Sequence, residues 1–308
     1  FGHLAMAAGA IAFLFVDTAG PAAFAARALQ GVGWAFVFTA AGLIAVNLAA
    51  PDRIAEAIAL QGSANLITNA LGPALAEPIL DRHGPTPVFL AGAMIAVVGA
   101  ILTARVAVPP APAPAANAHA SAKAAPRTRA IVLFTSLVLG LACGLMFTLH
   151  QPLALARGHT QVADFLVAYT IAAIGIRLGL ARLGRRFGSA NLTAASFVLY
   201  GVVVAAMAGL GETGLWVYGA VFGLAHGVFF PSFLALIIGN APDSARPGLI
   251  GAFNAAFNGG MIVVIPLGLL AESFGFAAAF VPVGVLTVAN AALLPRWSRL
   301  LAKRAGDG

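Results

Sequence analysis

The sequence predicts an all-α integral membrane protein built as two pseudo-symmetric helical bundles, and three observations predict it. Hydrophobic residues fill 61% of the 308 positions and charged residues only 9%, with a mean hydropathy of +0.96, whereas a soluble domain carries about 25% charge. The apolar residues gather into ten runs of the length a bilayer demands, about 20 residues per helix. The stretch Pro51 to Phe89 also matches Pro242 to Phe280 without gaps at a shift of 191 residues. Pro51-Asp52 falls on Pro242-Asp243, Asp81 on Glu272, Gly84 on Gly275 and Phe89 on Phe280. Both copies run in the same direction, so the chain is a parallel internal duplication, a pattern that points to two-halved secondary transporters.

The first predicted span, 1–16, is short because it is clipped at Phe1. Shifting residue 130 back by the repeat distance lands about 60 residues before Phe1, so the expectation is a fragment lacking two helices of an original twelve. The second span, 22–50, carries Arg27 and Gln30 near its start, and the third, 54–80, carries Asn65, Asn69, the pair Gly72-Pro73 and Glu77. The fourth, 87–106, has almost no strongly polar residue, as expected of a lipid-facing helix. These four spans make up a first bundle, 1–106. From 107 to 129 the text becomes AVPPAPAPAANAHASAKAAPRTR, a Pro- and Ala-rich linker with no apolar period. The second bundle, 130–308, holds six spans: 130–155, 162–182, 190–210, 213–241, 247–271 and 276–295. The first of these holds His150-Gln151-Pro152, the fourth His226, and the fifth Asn254, Asn258 and Pro266. Spans 190–210 and 276–295, like 87–106, read as lipid-facing. Gly31, Gly33, Gly140, Gly144, Gly223 and Gly227 are expected to let helix backbones approach closely.

Net charge of +7 raises the question of a nucleic-acid partner, and the placement of the charges answers it. With alternating connections, Arg53, Arg105, Lys123, Arg127, Arg129, Arg182, Arg185, Arg186, Arg246, Arg296, Arg299, Lys303 and Arg304 fall on one side, and only Arg82 and Arg157 on the other. That asymmetry is the positive-inside rule. It puts the linker and the carboxy terminus in the cytoplasm, makes the bilayer the partner and removes the need for nucleic acid. The single cysteine, Cys143, allows neither an intramolecular disulfide nor a thiolate metal cluster. Gly31-Val-Gly33 lies inside an apolar helix with no preceding strand, so it is no nucleotide loop, and neither a Walker lysine nor a G-x-S-x-G elbow occurs. No enzyme activity, cofactor or metal is expected; His150 and His226 lie 76 residues apart with no ligand-spaced partner.

Four places resemble the major facilitator superfamily. Arg27-Ala-Leu-Gln30-Gly31-Val-Gly33 is similar to the signature RxxQGxG of the family's fourth helix. Gly72-Pro73 resembles the start of the exporter signature GPxxGG, although Ala76 and Glu77 stand where its two glycines would be. Arg177 to Gly188 (RLGLARLGRRFG) resembles the basic loop between helices eight and nine, with Ala181 where the family has Asp. The acid and base connections Asp52-Arg53 and Asp243 with Arg246 form the fourth place. The resemblance covers the whole chain and implies the superfamily's fold, with ten of twelve transmembrane helices present.

Ionisable groups within a span cost at least ~2.5 kcal/mol, which singles out a few residues. Arg27 lies about 7.5 Å into its helix at 1.5 Å per residue and shares a face with Gln30. The resemblance implies that it lowers the pKa of a cavity carboxylate or holds an anionic substrate; the simpler reading is an arginine that snorkels to the headgroups. Glu77 could accept a proton when desolvated, or be a solvated residue at a helix end. His150 and His226 could shuttle protons or pack a helix crossing. Asn65 with Asn69 and Asn254 with Asn258 lie four apart on helices that the repeat equates; they could bond between helices or, with Gln151, line a polar path. Asp52, Arg53, Arg182, Arg185, Arg186, Asp243 and Arg246 are the candidate cytoplasmic gate. The resulting expectation is a monomeric, multi-pass secondary transporter of a plasma membrane or bacterial inner membrane. It moves a small organic solute by alternating access, by proton-coupled efflux or, alternatively, by uptake through symport or facilitation. A non-transporting remnant or regulatory partner is the reading from another class.

Overall fold

A computed structural model of the chain describes residues 1–50, 54–107, 126–211, 214–239 and 245–305. Every regular element among them is helical, and the chain divides into two compact units, Phe1–Ala113 and Pro114–Gly308. The first unit contains α1 (Gly2–Ala12), a 3-10 turn (Phe13–Phe15), α2 (Pro21–Leu48), α3 (Ile54–His83) and α4 (Pro85–Ala104). Proline opens α2 and α4, where its missing N–H costs nothing and its fixed φ suits the first turn. Helix α1 packs against both α2 and α4. The contact with α2 runs through small residues: a methyl added at Gly33 would stand 2.6 Å from the Gly2 carbonyl oxygen, and one at Gly9 would stand 2.5 Å from Gln30 Cγ. Gly31 does not share this role, because open space surrounds it; two residues before Gly33, it lies about 200° around the helix from the packed face. Phe24, Trp34, Phe36 and Leu43 of α2 and Met94, Ile95 and Leu102 of α4 are exposed, apolar surface of the kind that faces lipid or another apolar partner.

The second unit contains α5 (Pro126–Ala156), α6 (Ala163–Phe187), α7 (Ser189–Met207), α8 (Leu215–Gly239), α9 (Arg246–Ile262), α10 (Val264–Phe274) and α11 (Phe276–Ala305). Helix α5 packs on α9 and α11, α8 lies against both α6 and α7, and α7 packs on α11. Glycine makes these contacts close: a Cβ at Gly140 would overlap the Phe257 carbonyl group of α9, and one at Gly223 would overlap the Tyr169 carbonyl group of α6. Leu139, Leu145, Met146, Phe165, Phe197, Phe222 and Phe229 are fully buried among these helices.

Helix α5 starts at Pro126, inside the stretch expected to be linker, and residues 108–125 of that stretch lie outside the described residues. The expected span 247–271 is divided at Val263 into α9 and α10. Pro266 accounts for the break, because it has no N–H to offer the Ile262 carbonyl. The two pieces still form one continuous apolar passage, Gly248–Phe274.

Among the described residues seven helices or helix pairs are long and apolar enough to cross a membrane, and Gly2–Phe15 and Phe276–Ala292 are shorter apolar segments. Helix α3 has 30 residues, ample length for a crossing, but Gln61, Ser63, Asn65, Thr68, Asn69 and Glu77 keep it out of the strongly apolar class. The chain is a multi-pass membrane protein. Its duplication is visible in the backbone: Gly84 (φ 74°) and Gly275 (φ 85°) end α3 and α10 and introduce α4 and α11. Only glycine takes that left-handed conformation without strain, which is why this residue recurs in both copies.

Candidate functional site

Among the described residues a cluster of polar and aromatic side chains lies inside the second unit, between α5, α6, α7 and α8. His226 of α8 is half-buried and its Nδ1 shares a hydrogen bond with the Tyr200 hydroxyl of α7, a residue with no exposed surface. The Cys143 thiol of α5 hydrogen-bonds the same tyrosine. Tyr169 of α6, 1% exposed, meets His226 edge-on with ring centroids 5.5 Å apart. Phe222, one turn before His226, touches Tyr169 and Tyr200 at 5.5 and 4.9 Å between centroids. An aromatic wall therefore surrounds one imidazole.

Arg177 of α6 completes the cluster. It is half-buried within electrostatic range of Tyr169, Tyr200 and His226, and its Nε is buried without a hydrogen-bond partner. Gly188 turns the chain from α6 into α7, 11 residues after Arg177 and 12 before Tyr200. At 1.5 Å per residue the two lie about 17 and 18 Å from the turn, hence at matched depth. A charge at that depth costs about 2.5 to 3.5 kcal/mol by insertion scales unless it is compensated.

His150 of α5 is 4% exposed and stacks on Phe165 of α6 with centroids 4.4 Å apart, and its Nδ1 has no hydrogen-bond partner. The stack joins it to the aromatic wall through Phe165 and Phe222. Gln151, the next residue, is exposed.

Other expected site residues stand apart from this cluster. In the first unit Arg27 Nη1 donates to Gln30 Oε1 at 3.1 Å, and both sit on α2 within the apolar span Pro21–Ala45. Glu77 is half-buried on α3, Asn65 is half-buried and Asn69 is exposed. In the second unit Asn254 and Asn258 are exposed on α9, and Asn258 Nδ2 donates to the Asn254 carbonyl at 2.8 Å, so this amide bonds its own helix. Arg185 and Arg186 are exposed in the last turn of α6, where positive charge suits the helix dipole, and the Arg186 guanidinium lies 5.2 Å from the Phe187 ring centroid. Arg246 is half-buried in the first turn of α9. Asp52, Arg53 and Asp243 lie outside the described residues, as does the side chain of Arg182.

Two helices expected to be bland carry polar groups. Helix α7 contributes Tyr200 to the cluster and buries Thr193 and Ser196, and α11 buries Thr287 and Asn290. The hydroxyls of Ser196 and Thr287 donate to carbonyls of their own helices, so these side chains hide inside the contacts of α7 and α11 and leave the outer faces apolar. Tyr200 and Arg177 were not among the sequence candidates. A lone tyrosine in an apolar run reads as an interfacial aromatic, and Arg177 reads as the first letter of the basic motif that ends at Gly188. Its distance of eight residues before Arg185 was the available signal.

Two units of apolar helices whose sequences repeat in parallel are the pattern of two-halved secondary transporters. The family model described as Major Facilitator Superfamily matches residues 1–222 and again residues 160–306, and the chain belongs to this superfamily of transporters. Two solved structures are similar in fold. One is a major facilitator superfamily transporter, FucP, in the outward conformation, 16% identical, with a TM-score of 0.60, covering 96% of this chain and 81% of that one. The other is the E. coli fucose:proton symporter FucP in a singly substituted form, 15% identical, with a TM-score of 0.59, covering 96% of this chain and 82% of that one. No curated protein matches the chain.

Proposed function

We propose that the chain is a proton-coupled secondary transporter that moves a small organic solute by alternating access, with export in exchange for protons as its working direction. It acts as a monomer in a plasma membrane or bacterial inner membrane, with its carboxy terminus in the cytoplasm. The observation that carries the coupling is the hydrogen bond from Arg27 to Gln30 within the apolar span of α2. A guanidinium fixed in orientation by a neighbouring amide is a permanent positive charge in a medium of low dielectric constant. Such a charge favours the ionised form of a nearby carboxylate, and a carboxylate that alternates between ionised and protonated carries the proton. Glu77 is the acceptor assigned to that role. Asn65, Asn69, His150, Gln151, His226, Asn254 and Asn258 supply polar contacts along the solute path, and Asp52, Arg53, Arg182, Arg185, Arg186, Asp243 and Arg246 act at the cytoplasmic gate.

Gly72-Pro73 on α3 supports the export direction. The opposite direction, proton symport, is supported by the symporter named among the similar structures. Proteoliposomes under an imposed pH gradient separate them, since an antiporter accumulates solute against the proton flow and a symporter with it. Arg27→Ala is expected to abolish the response to the gradient, while solute exchange without a gradient persists. Unchanged gradient-driven flux in that variant would remove Arg27 from coupling.

A further inference from the structure

We infer that Arg177, with His226 and the hydroxyl chain behind it, binds the carboxylate of a small organic monoanion, so that the solute class is a monocarboxylate. This rests on the transport reading above and adds to it a site within the second unit alone. The donors and acceptors of the cluster do not balance. A thiol is a weak donor, a tyrosine hydroxyl donates once, and a neutral imidazole has one donor and one acceptor nitrogen. With Cys143 assigned as donor to Tyr200 and Tyr200 as donor to His226 Nδ1, His226 Nε2 is left as a donor. Arg177 adds five N–H donors, of which Nε is buried without a partner. Its electrostatic neighbours are Tyr169, Tyr200 and His226, none of which is an anion in its ordinary state at neutral pH. Among the described residues no carboxylate pairs with it.

Snorkelling does not explain this arginine. It stands eight residues, about 12 Å, inside Arg185, and at the depth of Tyr200 and His226. An arginine side chain on a helix leans toward the amino terminus, which here means toward Tyr169, two turns earlier, and away from the basic end. A cation and an imidazole donor at mid-depth, with no anion of the chain opposite them, are complementary to one carboxylate, which a guanidinium grips with two parallel hydrogen bonds. The rings of Tyr169 and Phe222 beside His226 favour an apolar or aromatic body on the acid. One unpaired cation matches one negative charge, which argues against di- and tricarboxylates.

The test is equilibrium binding of labelled benzoate to the full chain in phosphatidylcholine nanodiscs, with benzamide, citrate and inorganic phosphate as competitors. The expected result is saturable binding that benzamide, citrate and phosphate do not displace. Arg177→Gln is expected to weaken it about tenfold or more, and Arg177→Lys less. Thermal unfolding of each variant without ligand separates lost binding from lost folding; Arg177→Lys, which keeps the charge, serves if Arg177→Gln does not fold. Absence of benzoate binding to the folded wild type, equal affinity of Arg177→Gln, or competition by phosphate or by added phosphatidylglycerol would each overturn the proposal, the last two because the counter-anion would then be a phosphate or a lipid. Solute counterflow is measured separately. Binding without flux refutes transport and leaves the site standing, whereas flux of uncharged solutes without benzoate binding does the reverse.

Discussion

Hydrogen bonds between membrane helices are weak on average, near 0.6 kcal/mol and at most about 1.7 kcal/mol, because the separated helices also find partners. The contact between Tyr200 and His226 belongs at the upper end, since Tyr200 is completely buried and bonds the Cys143 thiol as well. A double-mutant cycle with Tyr200→Phe and His226→Leu, read from unfolding in detergent, is expected to give a coupling energy of about 1 to 1.7 kcal/mol. A value near zero would mean that the two side chains do not interact. The same pair shows how legible single residues were. His226 stood out because an ionisable side chain in an apolar run is costly, whereas Tyr200 did not, because a tyrosine is half apolar and its hydroxyl finds its partner 26 residues away. Arg177 was obscured by the arginines that follow it, and only the depth of α6 in the bundle separates it from them.

Apolar run length gave the helices, since a bilayer leaves the backbone no alternative to satisfying itself. It did not give their ends or their neighbours. The break at Val263, set by Pro266, and the early start of α5 at Pro126 follow from local geometry that a hydropathy pattern does not encode. Glycines show the same limit: composition suggested close packing, and only the structure tells which glycines provide it. Gly140 meets the Phe257 carbonyl group and Gly31 meets nothing. Gly140→Ala is therefore expected to force α5 and α9 apart at a cost of about 1 to 3 kcal/mol, the usual range for overpacking. Gly31→Ala is expected to stay within about 0.5 kcal/mol of wild type, like other substitutions on an open face. Melting temperatures of the two variants in one detergent decide the matter, and equal melting would show that the seam between α5 and α9 yields to an added methyl.

The distribution of charge along the whole chain predicts which end of each helix meets which side of the membrane. Arginines and lysines crowd the connections after α2, α4 and α6 and the end of α11, while Arg157 stands at the far end of α5. Arg157 has a structural task there. Its Nη2 donates to the Ala208 carbonyl at 3.2 Å, and His159 Nε2 bonds the Gly211 carbonyl at 3.0 Å, so the turn after α5 is strapped to the turn after α7. Both turns must then lie on one side, opposite the basic one, as an alternating path requires. Cys143 is the only cysteine and is buried, which makes the wild-type chain a silent background for labelling with a membrane-impermeant maleimide. In intact cells Thr160→Cys, exposed beside the strap, is expected to react, and Lys303→Cys to react only after permeabilisation. The reverse pattern would invert the proposed orientation and rule out a cytoplasmic gate built on these arginines. Labelling of both residues from the outside would mean that the number of crossings between them is even, which would remove one of the helices between α6 and α11 from the membrane.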